Sequence, residues 1–220
     1  AMGQGTRNVG AGGHALQRGL VVSQVALSLL LTSSAALLVR SYYKLANADV
    51  GYSAANVMTF HVGARWDEDR ARIGVLQQDM MRGLEAIPGV RSAGLANFLP
   101  MTGATLRTQV RVDGIAGPDK DGTMTVGTRL IAHNYLRALS VPVLSGKACG
   151  TFQGNFDAPR DVLVNRAFVD RFGGRLPLSG RTLTVMPYGT KYAIAGVVGD
   201  VVEDTPQSRP TPYIYHCDPA

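Results

Sequence analysis

The chain has 220 residues, 45% of them apolar, with 11 prolines and a net charge of +6. That composition excludes an extended disordered polymer, and the stretch beyond residue 44 is long enough for one sizeable core or two small subdomains. Its basic residues are dispersed. The densest group, Arg65, Arg70 and Arg72, is interrupted by Asp67, Glu68 and Asp69, so no stripe suited to nucleic acid is present and no such partner is expected.

Residues 1–19 form a lead-in. Leu20 to Val39 then runs twenty residues without a charge, framed by Arg18 and Arg40. At ~1.5 Å per residue, such a helix spans about 30 Å, the hydrocarbon thickness of a bilayer. A cleaved signal peptide has a shorter apolar core, about 7–15 residues. A buried globular helix is shorter or shows a polar face. Residues 20–39 are therefore read as a transmembrane helix. Gln24, Ser28 and Thr32 recur at i, i+4 and i+8 and share one face. Small and hydroxyl side chains on one face suit close packing against other helices. Bonding to carbonyls of their own helix would also account for Ser28 and Thr32, but not for Gln24. Packing within a bundle by Gln24, Ser28 and Thr32 is the preferred reading, and it implies a longer protein or an oligomer. Arg7 and Arg18 on one side balance Arg40 and Lys44 on the other, so charge alone does not orient the helix.

Residues 40–52 read as a stalk, with Tyr42 and Tyr43 at the level of the lipid headgroups. Asn56 to Gly63 alternates apolar and polar side chains and predicts a strand, with His61 on its polar face. Asp67 is placed to cap a helix running to about Ala86. Ile73, Leu76, Met80 and Leu84, followed by Ile87, repeat at three and four residues and are the predicted core stripe. Pro88-Gly89 ends that helix, and Val90 to Leu99 predicts a second strand, completing a β-α-β unit. Short strands are expected at 108–112, 125–131 and 162–164, and an extended run at 141–144. Helices are expected over 134–139 and from an Asn165 cap to Phe172. The chain ends in strands at 181–186, 192–202 and 212–216. The fold class is α+β, with residues 100–190 looking like an insertion that carries its own small elements.

The chain lacks a phosphate-binding Gly-x-x-x-x-Gly-Lys-Ser/Thr loop, a Gly-x-Ser-x-Gly elbow and a His-Glu-x-x-His helix. Residues 196–200 (GVVGD) fit a tightly packed strand better than a phosphate loop, and Glu203-Asp204 before Thr-Pro reads as a turn. Neither cysteine has zinc-ligand spacing. Cys149 and Cys217 can be joined if the soluble part lies outside the cytoplasm, with two free thiols as the alternative. No catalytic residue, metal or cofactor is expected, and the chain is not read as an enzyme.

Several blocks, in order, resemble one family. GLVVSQVALSLLL, LLVRSYYKL and GYSAANVMTF resemble the first helix and outgoing stalk of MacB/FtsX-type ABC permeases, and more narrowly of the duplicated orphan permeases. LEAIPGVRSAGLANFLPM, HNYLRALSVPVLSGK, VLVNRAFVDRF, AIAGVVGDVVED and PYIYHC resemble later blocks, so the likeness spans nearly all of residues 15–217. The resemblance implies a cytoplasmic lead-in and a helix in the bacterial inner membrane, with everything after about residue 40 in the periplasm or outside the cell. It implies a porter-like part over 53–99, an inserted sabre-like subdomain over 100–190 and returning strands over 191–220. It also implies a separate or fused ABC ATPase, pairing of permease halves as a dimer or pseudo-dimer, and a periplasmic adaptor or outer-membrane partner. The implied function is to couple ATP-driven helix movement to efflux or extraction of a substrate. The loop 149–159 and both cysteines depart from the family pattern. The rival readings are a membrane-tethered ligand-sensing domain of a receptor and a singly anchored periplasmic adaptor.

Overall fold

The computed structural model describes residues 12–63, 69–103, 105–149, 160–173, 178–206 and 208–217. The chain divides into two compact units, Ala1–Ala48 and Asp49–Ala220. The first holds one long helix, α1 (Gly12–Ala46). The expected Asp67 cap and most of the 149–159 loop lie outside the described residues.

The second unit contains helix α2 (Arg70–Glu85) and strands β1 (Gly94–Ala96), β2 (Leu106–Val112) and β3 (Met124–His133). Helix α3 (Tyr135–Ala138), strand β4 (Val143–Gly146), strand β5 (Arg160–Asn165) and helix α4 (Arg166–Phe168) follow. Strands β6 (Thr182–Met186), β7 (Thr190–Val198) and β8 (Tyr213–Cys217) complete it. Pairing runs β3–β2–β6–β7–β5–β8, and β8 returns to pair with β3, so these six strands close on themselves. The β3–β8 and β5–β7 contacts are parallel and the rest of the ring is antiparallel. Closure satisfies backbone groups that an open sheet would leave at its edges. β1 extends alongside β3, and β4 alongside β7.

Alternation sorts the side chains into two clusters. Val110, Val112, Met124, Val126, Val162, Val164, Leu183, Ile194 and Ile214 come from all six ring strands and fill its interior together with Phe168 and Leu178. The second cluster lies outside one wall. There Ile131, Leu163, Val198, Tyr213 and Tyr215 are covered by Tyr135, Leu136, Leu139, Val141 and Val201. Asn165 performs as expected at the start of α4: its Oδ1 accepts from Phe168 N–H (3.0 Å). The same oxygen accepts from Tyr213 N–H (2.9 Å), and Nδ2 donates to Thr211 O (2.8 Å), so one buried amide fastens α4 to β8.

Three expectations change. Residues 57–63 form no strand, and Met58 is 88% exposed. Alternation alone makes no strand without a neighbouring edge to pair with, and only Val57 is drawn toward the outer cluster. The predicted core stripe of α2 is also corrected. Leu76 is 56% exposed and Ile73, Met80 and Leu84 are only half-buried, whereas Met81 is 3% exposed. The helix turns its Gly74–Met81 side inward, and at its end Glu85 Oε1 accepts from Asn134 Nδ2 (2.9 Å). Finally, β7 and β8 belong to the same ring as β2, β3, β5 and β6, so the sheet runs across the division expected near residue 190.

Candidate functional site

Helix α1 includes a 31-residue segment, Leu16–Ala46, long and apolar enough to cross a membrane, and every side chain in it is exposed. Exposure of so much apolar surface is unfavourable in water and natural in lipid. Ser28 Oγ donates to Gln24 O (2.8 Å) and Thr32 Oγ1 to Ser28 O (2.7 Å). Both hydroxyls are therefore satisfied within their own helix. The Gln24 amide makes no hydrogen bond among the described residues, so of the three it alone still requires a partner.

The folded unit holds a buried polar centre in its outer cluster. Arg129 projects from β3 on the same face as Gly127 and Ile131 and is 2% exposed. Its Nη2 lies 2.6 Å from Glu203 Oε2. Nη1 donates to Glu203 Oε1 (3.2 Å) and to the Tyr135 hydroxyl (3.1 Å). The Tyr215 hydroxyl donates to Glu203 Oε1 (3.0 Å). The guanidinium also stands 5.5 Å from the centre of the Tyr213 ring. Gly127 makes room for that ring, since a Cβ there would fall 2.1 Å from Tyr213 Cε2.

Burial pushes the Glu203 carboxyl up, against the pull of Arg129 and the Tyr215 hydrogen bond. Burial likewise lifts the Tyr135 hydroxyl to about 12, so it stays protonated and available as a donor. Burial opposes the charge of Arg129, but Tyr135 and Glu203 outweigh it and the group is held cationic. This buried pair clamps the 199–204 loop to the barrel wall. Sequence reading missed it. Glu203 looked like a turn residue, and the available signal was Arg129 standing in phase with Ile131 in a strand that carries no other group charged at neutral pH.

Cys149 and Cys217 are disulfide-bonded, with Cα atoms 5.2 Å apart, joining the segment after β4 to the end of β8. Beside the bond lies a pocket of 330 Å³, whose lining includes Ile131, Leu136, Val141, Asn134 and Arg137. Gly196 in the GVVGD segment is closely packed, as a Cβ would fall 2.6 Å from Lys147 O, and no glycine phosphate loop forms there. His216 is buried at the end of β8 against the Tyr192 ring, 4.6 Å away, and its Nδ1 has no partner. His61 is exposed. No cluster of three or more His, Cys, Asp or Glu side chains fit for a metal occurs among the described residues.

No protein-family profile and no curated protein sequence matches the chain. Among solved structures, it is similar to the extracellular domain of the noncanonic ABC-type transporter YknZ from Gram-positive bacteria. Identity there is 14% and the TM-score 0.40, over 64% of this chain and 61% of that one. It is also similar to the periplasmic region of MacB from Actinobacillus actinomycetemcomitans, at 11% identity and a TM-score of 0.43, over 64% of this chain and 54% of that one. A domain of a permease protein from Porphyromonas gingivalis aligns at 18% identity and a TM-score of 0.33, over 53% of this chain and 52% of that one. The chain thus spans between half and two thirds of each of these chains.

Proposed function

We propose that this chain is the leading membrane helix and extracytoplasmic head of an ABC permease of the MacB/FtsX type. The observation that carries the reading is α1, whose Leu16–Ala46 stretch is wholly exposed and directly precedes a separately folded unit. The Cys149–Cys217 bond supports placing that unit in an oxidising compartment. The ordered sequence blocks from GLVVSQVALSLLL to PYIYHC support the family.

In this reading the head lies beyond the bacterial inner membrane and does no chemistry of its own. An ABC ATPase subunit drives the membrane helices. Two permease halves pair as a dimer or pseudo-dimer, using the Gln24, Ser28 and Thr32 face, and the head passes their movement to a substrate that is expelled or extracted. A periplasmic adaptor or outer-membrane partner would receive it.

Expression in a Gram-negative host tests it. The chain is expected to stay in the membrane pellet after an alkaline carbonate wash. Protease added to spheroplasts is expected to degrade the head, and non-reducing gels to show the internal disulfide. A chain recovered in the soluble fraction, or a head protected in intact spheroplasts, would overturn the reading.

A further inference from the structure

Residues 49–53 follow the apolar helix and open the folded unit. A loose tether would leave their backbone groups to water, but here they are fastened. Val202 N–H donates to Val50 O (2.9 Å), and Ser53 N–H donates to Leu139 O (2.9 Å). Gly51 N–H donates to Asp49 Oδ1 (3.0 Å), which holds the turn itself. Gly51 sits at φ +78°, and a Cβ there would stand 1.8 Å from Asp200 O. The backbone angle and the close approach each select glycine, for separate reasons. Tyr52 packs against the outer cluster.

The surface under Gly51 is held from several directions. Asp200 Oδ1 accepts from Ala167 N–H in α4 (2.8 Å). Met101 N–H donates to Glu203 O (2.8 Å). The Glu203 carboxylate is buried against Arg129. Little in this loop can yield to an added methyl group.

We propose that residues 49–53 and the 199–203 loop form a fixed joint, closed by the seating of Gly51 on the Asp200 carbonyl. A displacement of the chain at residue 49 is then delivered to α4 and to the Arg129–Glu203 pair instead of being lost in slack. That mechanical meaning rests on the membrane reading above; the joint itself does not.

Residue-resolved amide hydrogen exchange on the full chain in phospholipid nanodiscs tests it, with membrane insertion scored separately by vesicle flotation. Failure of the joint and failure of the membrane reading are thereby distinguished. In the unaltered chain, Ser53 and Val202 are expected to exchange at least ~10-fold more slowly than residues 58–62, allowing for intrinsic rates. Gly51→Val is expected to abolish that protection while Val110 and Ile214, in the barrel interior, stay slow. Gly89→Ala is the control: Gly89 also has positive φ (+95°), but a Cβ there would meet nothing within 4 Å, so Ser53 and Val202 should stay protected. The joint is refuted if Ser53 and Val202 exchange as fast as residues 58–62 in the unaltered chain. It is equally refuted if Gly51→Val leaves both slow. Should Gly51→Val also release Val110 and Ile214, Asp49→Ala decides, because it removes only the acceptor for Gly51 N–H. Faster exchange at Val202 in that variant supports the joint, and unchanged exchange overturns it.

Discussion

Replacing Glu203 by alanine strands a cation. Arg129 is 2% exposed and would keep only the Tyr135 hydroxyl of its present oxygen contacts. Breaking a buried pair in this way costs about 3–5 kcal/mol. The Tyr215 hydroxyl loses its acceptor as well, which by itself costs about 1–3 kcal/mol. The two penalties overlap, because the same carboxylate serves both groups, so about 4 kcal/mol is expected in total. In a unit of this size each kcal/mol moves Tm by roughly 2–4 °C, and the fall should be on the order of 10 °C. Near-ultraviolet circular dichroism of the full chain in detergent, which reports tyrosine packing, follows the melt. Arg129→Met combined with Glu203→Leu removes both charges and should recover part of the loss, since it leaves no orphaned ion although Tyr215 still lacks its acceptor. A Tm within about 2 °C of the unaltered chain for Glu203→Ala, or a double variant no better than the single one, would refute this reasoning.

The remaining expectations concern separate parts of the head. Cys149 and Cys217 are 68 residues apart in sequence, and closing such a loop is worth about 4 kcal/mol in the chain-entropy account; a melt unmoved by dithiothreitol or by Cys149→Ser with Cys217→Ser would refute that value. Leu76→Asp should shift stability by less than about 0.5 kcal/mol because Leu76 is exposed, whereas Met81→Asp buries a charge and should cost at least ~3 kcal/mol. Equal effects of the two in a thermal melt would show that α2 is turned the other way. Burial, aided by Arg160, lowers the His216 pKa to about 4. The folded state therefore favours neutral imidazole: its full stability is present above the unfolded pKa of about 6.5 and is lost as pH falls from there toward 4, by about 3 kcal/mol. His216→Asn should flatten that part of the pH–stability curve, and an unchanged slope between pH 6.5 and 4 would count against the assignment.

The legible parts of this chain were those whose cause is local. Twenty uncharged residues between two arginines specify a lipid-compatible helix wherever they occur, because length and apolarity suffice. Asn165 was readable as a cap because its acceptor sits three residues from the N–H it satisfies. Most ring strands were placed correctly because short runs rich in β-branched and aromatic residues lie between turn residues, as in β2, β6 and β8. The stripe on α2 was real as a pattern, but a periodicity does not say which side a helix turns inward. That depends on contacts with residues distant in sequence, such as the Glu85–Asn134 hydrogen bond across 49 positions of the chain.

The rest depends on pairs distant in sequence. Alternation cannot reveal that β8 closes the ring by lying parallel to β3, since both strands would look the same in an open sheet. It equally cannot distinguish residues 57–63, which have the pattern of a strand and no ladder, from β2, which has two neighbours. Glu203 acquires its role only when β3 brings Arg129 to it across 74 positions. Amino-acid order alone was enough to specify a lipid-compatible rod and a mixed α/β head, because hydrophobicity and turn chemistry act over a few residues. The barrel closure, the buried ion pair and the seat under Gly51 arise where distant segments meet, and steric fit and desolvation exist only once they have met.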